Sequence, residues 1–211
     1  MKKIISPPSI ASGVFWQIHV AEAIKLRLRL FTSILLIVVG LGFLAYPTLT
    51  DLGYAFSQNK LKASAKEAPA SNDKSNGGIS LPDGVVCKIS ISKIGLDAYV
   101  VEGTSPQALR QCPGHYSKTP LPGQGGNCGI AAHRTMYGHA FRRLDELEQG
   151  DKIRIYTRDG KYTHRVIEKK TVKPTELNVI APTEDARLTL TTCHPVGTAR
   201  QRLVVVSQLE G

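Results

Sequence analysis

Cys193 closes an alternating run, Arg187-Leu188-Thr189-Leu190-Thr191-Thr192-Cys193, and His194-Pro195 follows at once. In an extended strand, side chains two residues apart share a face. Thr189, Thr191 and Cys193 therefore face one way, and Leu188, Leu190 and Thr192 the other. Pro195 has no ladder donor and stops the strand. The chain resumes as Arg202-Leu203-Val204-Val205-Val206. Antiparallel pairing through the 194–201 loop sets Cys193 nearly opposite Arg202, with Cβ atoms about 4.5–5.5 Å apart. A thiol beside a fixed guanidinium ionises more readily, and the same cation offers a donor to an oxyanion. A structural cysteine at a strand end beside a surface arginine is the alternative this spacing leaves open.

A second group ends another apolar strand, Asn127-Cys128-Gly129-Ile130-Ala131-Ala132-His133-Arg134-Thr135. A cysteine nucleophile that expels an amine needs a proton donor, and imidazole is the group poised for that near neutral pH. His133 is the first candidate; His115, His139 and His194 are rivals, although His194 points to the opposite face from Cys193. Arg200 shares strand parity with Arg202 and is the rival cation. Cys87, Cys112 and Cys128 read as small buried thiols, with a Cys112–Cys128 bridge left open because sequence gives no distance in space. A zinc site from Cys112, His115, Cys128 and His133 would lack any C-x-x-C pair, and the acids form no calcium-loop pattern. No metal or cofactor is expected.

The elements that must position these groups are mainly β. Val85–Ile91, Ala98–Val101, Asn127–Ala132, Lys152–Tyr156, Tyr162–Glu168, Arg187–Cys193 and Leu203–Val206 read as short strands, and Arg158-Asp159-Gly160-Lys161 as a hairpin turn. Helical signals are short: Ser105–Gln111, with a capping Ser or Thr, and Ala140–Glu148. Many short strands with Gly/Pro turns predict a small barrel, closed or nearly so.

The chain has 211 residues with 27 Lys+Arg against 17 Asp+Glu, and its +10 charge is distributed by region. Residues 1–29 carry +4, residues 30–78 carry +1 and residues 79–211 carry +5, with no long basic run. Leu30–Thr50 is a stretch of 21 residues without a charge. At about 1.5 Å per residue it matches the roughly 30 Å hydrocarbon core of a bilayer. Lys25, Arg27 and Arg29 abut its N-terminal side. Positive residues stay inside, so residues 1–29 are expected in the cytoplasm and everything after residue 50 outside. A cleaved signal peptide fits less well: its basic region would be long and no A-x-A site follows. Residues 51–78, rich in Ala, Ser, Lys, Asn and Gly toward their end, read as a flexible stalk. Residues 79–211 are the folded domain. An outward-facing domain removes the motive for nucleic-acid binding.

The motifs resemble the sortases, cysteine transpeptidases of Gram-positive cell surfaces. The match rests on Thr189-Leu190-Thr191-Thr192-Cys193 (T-L-x-T-C), His133 in I-A-x-H-R, and Arg202 ahead of Leu-Val-Val. Pro113-Gly114-His115-Tyr116, Pro122-Gly123, Gly126-Asn127 and F-x-x-L-D-x-L-x-x-G-D over Phe141–Asp151 add to it. T-T-C-H-P and H-R-T-x-Y-G (His133 to Gly138) look most like class E, with class D next. The resemblance implies an eight-stranded β-barrel behind a transmembrane helix. It implies Cys193 as nucleophile, His133 as acid and base, and Arg202 as oxyanion donor, with Thr191, Thr192 and Tyr137 in the substrate site. The implied substrate is a surface protein with an L-P-x-T-G- or L-A-x-T-G-like signal, cut after Thr and passed to a peptidoglycan-precursor or pilin amine. Ala132 stands where the family often has Gly. No D-P-W or D-P-F lid motif occurs between residues 60 and 100, and Gly211 follows the last strand directly, which together point to an uncovered site and general anchoring. A non-catalytic barrel binding surface polymers or sorting signals is the rival class. A peptidoglycan-directed cysteine transpeptidase is the other, weakened because S-H-G-C is absent.

Overall fold

The computed structural model describes residues 11–67 and 77–210, and the chain divides into two compact units at Tyr46/Pro47. Helix α1 (Ala11–Glu67) supplies all of the first unit's described residues and continues into the second. It contains an 18-residue window of mean hydropathy 2.3, and by length and composition it is able to cross a membrane. From Leu30 to Leu49 its large apolar side chains are exposed on every side, as in Phe31, Leu36 and Leu44.

In the second unit, β1 (Val85–Ile91), β2 (Leu96–Glu102), α2 (Pro106–Gln111), β3 (Gly114–His115), β4 (Asn127–Ala131), β5 (Lys152–Tyr156), β6 (Lys161–Val172), β7 (Arg187–His194) and β8 (Gln201–Leu209) follow in order. The eight strands close into a barrel in the order β1-β2-β3-β4-β7-β8-β6-β5, with β5 returning to β1. Two neighbouring pairs are parallel, β2/β3 and β4/β7. The interior is aliphatic: Ile89, Ile91, Ile130, Ile153, Ile155, Leu188, Leu190 and Val205 have no exposed surface. This is the inward half of each strand's alternation. The β5–β6 turn forms as expected, closed by Thr157 N–H donating to the Gly160 carbonyl at 2.9 Å. Ser105 caps α2 by accepting from Ala108 N–H at 3.2 Å, and Pro106 takes its first position.

Two element expectations are corrected and one strand is added. Ala140–Glu148 is not an α-helix but a chain of turns with a 3-10 turn at Leu144–Glu146. The buried residues Phe141, Leu144 and Leu147 recur every third position, and i→i+3 bonds link them. That period suits three residues per turn rather than 3.6. Gly114–His115 is a strand too short to carry a pattern, and β6 runs four residues past Glu168 because β8 pairs with it there.

The segment read as a flexible stalk is helical through Glu67, while residues 68–76 lie outside the described residues, as do residues 1–10. Composition understated it. Leu61 and Ala65, four apart on one helix face, pack on Leu81, Val85 and Tyr99. Along β2, strand β3 pairs only with Val101 and Glu102, so that edge is open at Tyr99. The buried Gln58 amide covers that edge, accepting from Tyr99 N–H at 2.8 Å and donating to its carbonyl at 3.2 Å.

Candidate active site

The site is assembled across three adjacent strands, β4-β7-β8. Cys193 and Arg202 are direct partners in the antiparallel β7/β8 register, and Arg202 Nη1 donates to Cys193 Sγ at 3.3 Å. Both side chains are half-buried. On the other flank, β4 runs parallel to β7 with Ala131 beside Thr191. The strand ends at Ala131, and the Ala132 N–H donates to the Thr191 carbonyl at 3.3 Å, so the chain is still alongside β7 as it approaches His133. His133 shares parity with Gly129 and Ala131, so it faces the same side as Thr189, Thr191 and Cys193. Thiol and guanidinium thus stand side by side, with His133 following the neighbouring strand. Arg200 precedes β8 and is exposed, outside the register that brings Arg202 to the thiol.

Thr191 and Thr192 hold this arrangement in place. Thr192 is buried and its hydroxyl donates to the Ala132 carbonyl at 2.8 Å, tying the residue before the thiol to the residue before the imidazole. The Thr191 hydroxyl is 3.0 Å from the Tyr116 hydroxyl. Tyr116 can lie over β4 only because residue 129 is Gly: a Cβ there would stand 2.7 Å from the ring. Both threonines are 3–4 % exposed with their hydroxyls engaged inside the protein, which makes them scaffold. Tyr137, the third residue expected at the substrate, is half-buried with its ring centroid 5.1 Å from that of His133.

Arg134, which the motifs contain but assign nothing, is the buried tie of the site. It is 2 % exposed. Its guanidinium bonds the Asp145 carboxylate at 2.8 Å, the Arg142 carbonyl at 3.3 Å and the Cys193 carbonyl at 3.4 Å. The same Nη1 is 2.8 Å from His194 Nδ1. A guanidinium has only donors, so Nδ1 of His194 accepts and its proton sits on Nε2. That contact commits Nδ1 of His194 to the buried guanidinium at the end of β7. A cation following a strand reads as a surface charge until the loop carrying Asp145 is known to fold over it.

The other histidines have separate tasks. His115 is buried, with Nδ1 2.9 Å from Glu102 and Nε2 3.1 Å from the Pro120 carbonyl. His139 Nδ1 faces Asp51 Oδ2 at 3.5 Å. His133 follows the strand that runs parallel to β7, two residues beyond the Ala131–Thr191 pair. Partial burial, then the nearby Arg110 cation, hold its pKa below the ordinary imidazole value. Arg110 also lies 5.7 Å above the Tyr137 ring. Tyr137, Gly138 and His139 all have positive φ, at 53°, 73° and 39°. For the two non-glycine residues this conformation costs about 1–2 kcal/mol each, so surrounding contacts must hold it.

Cys87, Cys112 and Cys128 are free, buried thiols rather than a bridge. Burial pushes Cys112 up to about 11 and Cys128 up to about 12, and Cys87 well above its ordinary value. They are inert beside the partly exposed Cys193. Among the described residues, no three His, Cys, Asp or Glu gather as a metal site. A cavity of about 900 Å³ lined by Lys60, Leu61, Leu81, Cys112 and Arg158 touches none of Cys193, Arg202 and His133. These three can perform nucleophilic acyl transfer: attack by sulfur, anion stabilisation by Arg202, and proton delivery by His133.

Comparison with known proteins agrees with that geometry. The family model described as "Sortase domain" matches residues 89–210. Sortase D of Bacillus subtilis is 33% identical over 121 residues, 56% of this chain and 60% of that protein. Sortase SrtE1 of Streptomyces coelicolor is 29% identical over 167 residues, 72% of this chain and 47% of that protein. The chain thus spans 60% and 47% of the lengths of these two relatives. Among solved structures, sortase C1 of Streptococcus agalactiae superposes with TM-score 0.58 at 30% identity, covering 61% of this chain and 69% of that one. A Clostridium perfringens sortase D5 transpeptidase gives TM-score 0.57 at 26% identity, covering 79% and 99%. With the family model spanning more than half the sequence and the same closed barrel beneath it, the chain belongs to the sortase family.

Proposed function

We propose that this protein is a membrane-anchored cysteine transpeptidase. It cleaves an L-P-x-T-G- or L-A-x-T-G-like sorting signal after Thr and joins the surface protein to a peptidoglycan-precursor or pilin amine. The observation that supports this most is Arg202 Nη1 at 3.3 Å from Cys193 Sγ, inside the region the family model matches. Cys193, its thiol proton passed to His133, attacks the Thr carbonyl carbon through sulfur, and the resulting oxyanion is stabilised by Arg202. Collapse breaks the Thr–Gly bond, and His133 gives the proton that the departing Gly amine requires. The thioester left on Cys193 is opened by the acceptor amine, whose proton returns to His133. Class E, with class D next, suits the T-T-C-H-P and H-R-T-x-Y-G motifs. The uncharged Leu30–Thr50 segment of α1 and the basic residues before it support a single span with residues 1–29 in the cytoplasm and the barrel outside.

The test is mass spectrometry of the full chain with sorting-signal peptides and a panel of amines. Wild type forms a Cys193 thioester and amide products. Cys193→Ala forms neither, and Arg202→Ala lowers kcat by about 10²–10³. Full turnover by Cys193→Ala defeats the proposal, and peptide binding without a thioester in the wild type favours a non-catalytic barrel.

A further inference from the structure

Helix α1 reaches past the uncharged segment and meets the chain that follows His133. Asp51 Oδ1 accepts from Gly138 N–H at 2.8 Å, and its other oxygen faces His139 Nδ1 at 3.5 Å. One turn on, the Tyr54 ring occupies the space beneath Gly138, where a Cβ would stand 2.0 Å from a ring carbon. Two turns on from Asp51, buried Gln58 ties the helix to both backbone groups of Tyr99. All these residues belong to the second unit.

What this brace holds is the Tyr137–His139 segment, whose three consecutive residues have positive φ. Two of them are not glycine, and such a run persists only where its surroundings over-determine it. Asp51 supplies the acceptor that Gly138 N–H requires, and Tyr54 fills the adjoining volume. The segment's first residue, Tyr137, lays its ring against His133. The far end returns to the same place, as Phe141 N–H donates to the His133 carbonyl at 3.1 Å.

We infer that Asp51 is a positioning residue for His133: from the helix it fixes the left-handed Tyr137–His139 turn, whose Tyr137 ring sets the orientation and shielding of the imidazole. The inference rests on the acyl-transfer role proposed for His133. It makes the first helical turns after the uncharged segment part of the active-site scaffold rather than a tether. Arg110 and the Tyr137 ring are the groups that face the imidazole from α2 and from the turn.

The experiment compares Asp51→Ala with Asp51→Asn in the full chain. The Asn amide oxygen still accepts from Gly138 N–H, whereas Ala does not. Two readouts are taken: peptide turnover and the His133 titration followed by NMR. With Asp51→Ala, kcat falls about tenfold with KM changed less than about twofold. The His133 midpoint moves up toward the ordinary imidazole value as the ring loses its cover. Asp51→Asn stays near wild type in both. An Asp51→Ala protein whose His133 titrates as in the wild type, or whose turnover is unchanged, overturns the inference. If the wild type processes no sorting-signal peptide, the proposed function fails, and the His133 titration alone decides the brace.

Discussion

His164 makes acid sensitivity of the barrel calculable. It lies on β6 between Ile153 of β5 and Leu209 of β8, is 2 % exposed, and its Nδ1 has no hydrogen-bond partner among the described residues. Burial disfavours the imidazolium and lowers its pKa from 6.5 to about 4. The unfolded chain protonates His164 near 6.5, so between those values the unfolded state binds more protons. The neutral imidazole's contribution is complete above about pH 6.5 and is lost as pH falls toward about 4. A gap of about 2.5 pK units corresponds to about 3 kcal/mol. For a domain of about 130 residues that is roughly 10 °C in Tm. His164→Leu keeps the volume, removes the proton site and relieves the orphaned nitrogen, adding about 1 kcal/mol at pH 7. Scanning calorimetry of the detergent-solubilised wild type and variant at pH 7.5, 6, 5 and 4 measures the difference, in which the other titrations cancel. The gap between the two proteins should widen by about 3 kcal/mol across that range. Curves that stay parallel at every pH refute the assignment of the acid sensitivity to His164.

Arg134→Met strands the Cys193 carbonyl and His194 Nδ1 without their donor. It should slow alkylation of Cys193 by iodoacetamide about tenfold and cost about 2 kcal/mol of stability, with Arg134→Lys intermediate; a Met variant with wild-type alkylation contradicts the tie. Arg110→Ala removes one of the two causes that lower His133, so the acid limb of kcat/KM against pH moves to higher pH. An unshifted limb assigns the depression to burial alone.

Much of the site follows from local pattern. The β7 alternation, the Pro195 stop and the short 194–201 loop suffice to pair Cys193 with Arg202, because a hairpin's register depends only on its own residues. The hairpin at residues 157–160 and the cap of α2 are equally local. Where an expectation failed, a partner distant in sequence had intervened. Residues 140–148 follow a three-residue period set by the barrel interior, and residues 51–67 hold their helix on β2 through Gln58, Leu61 and Ala65.

Chain order alone places thiol and guanidinium together, since eight residues and one turn separate them. It leaves the third member undetermined, because four histidines were eligible and each stood at a strand end or in a loop. The barrel narrows them by setting β4 parallel to β7, which pairs Ala131 with Thr191, two residues short of His133 and of Cys193. The same closure buries Arg134 against Asp145 and His194, commits Thr191 and Thr192 to the scaffold, and gives Asp51 a turn to hold. Alternation and turn chemistry are short-range properties of the backbone and can be read along the chain. Which element lies beside which depends on contacts formed only when the sheet closes, and those contacts set β4 rather than another histidine-bearing segment alongside β7.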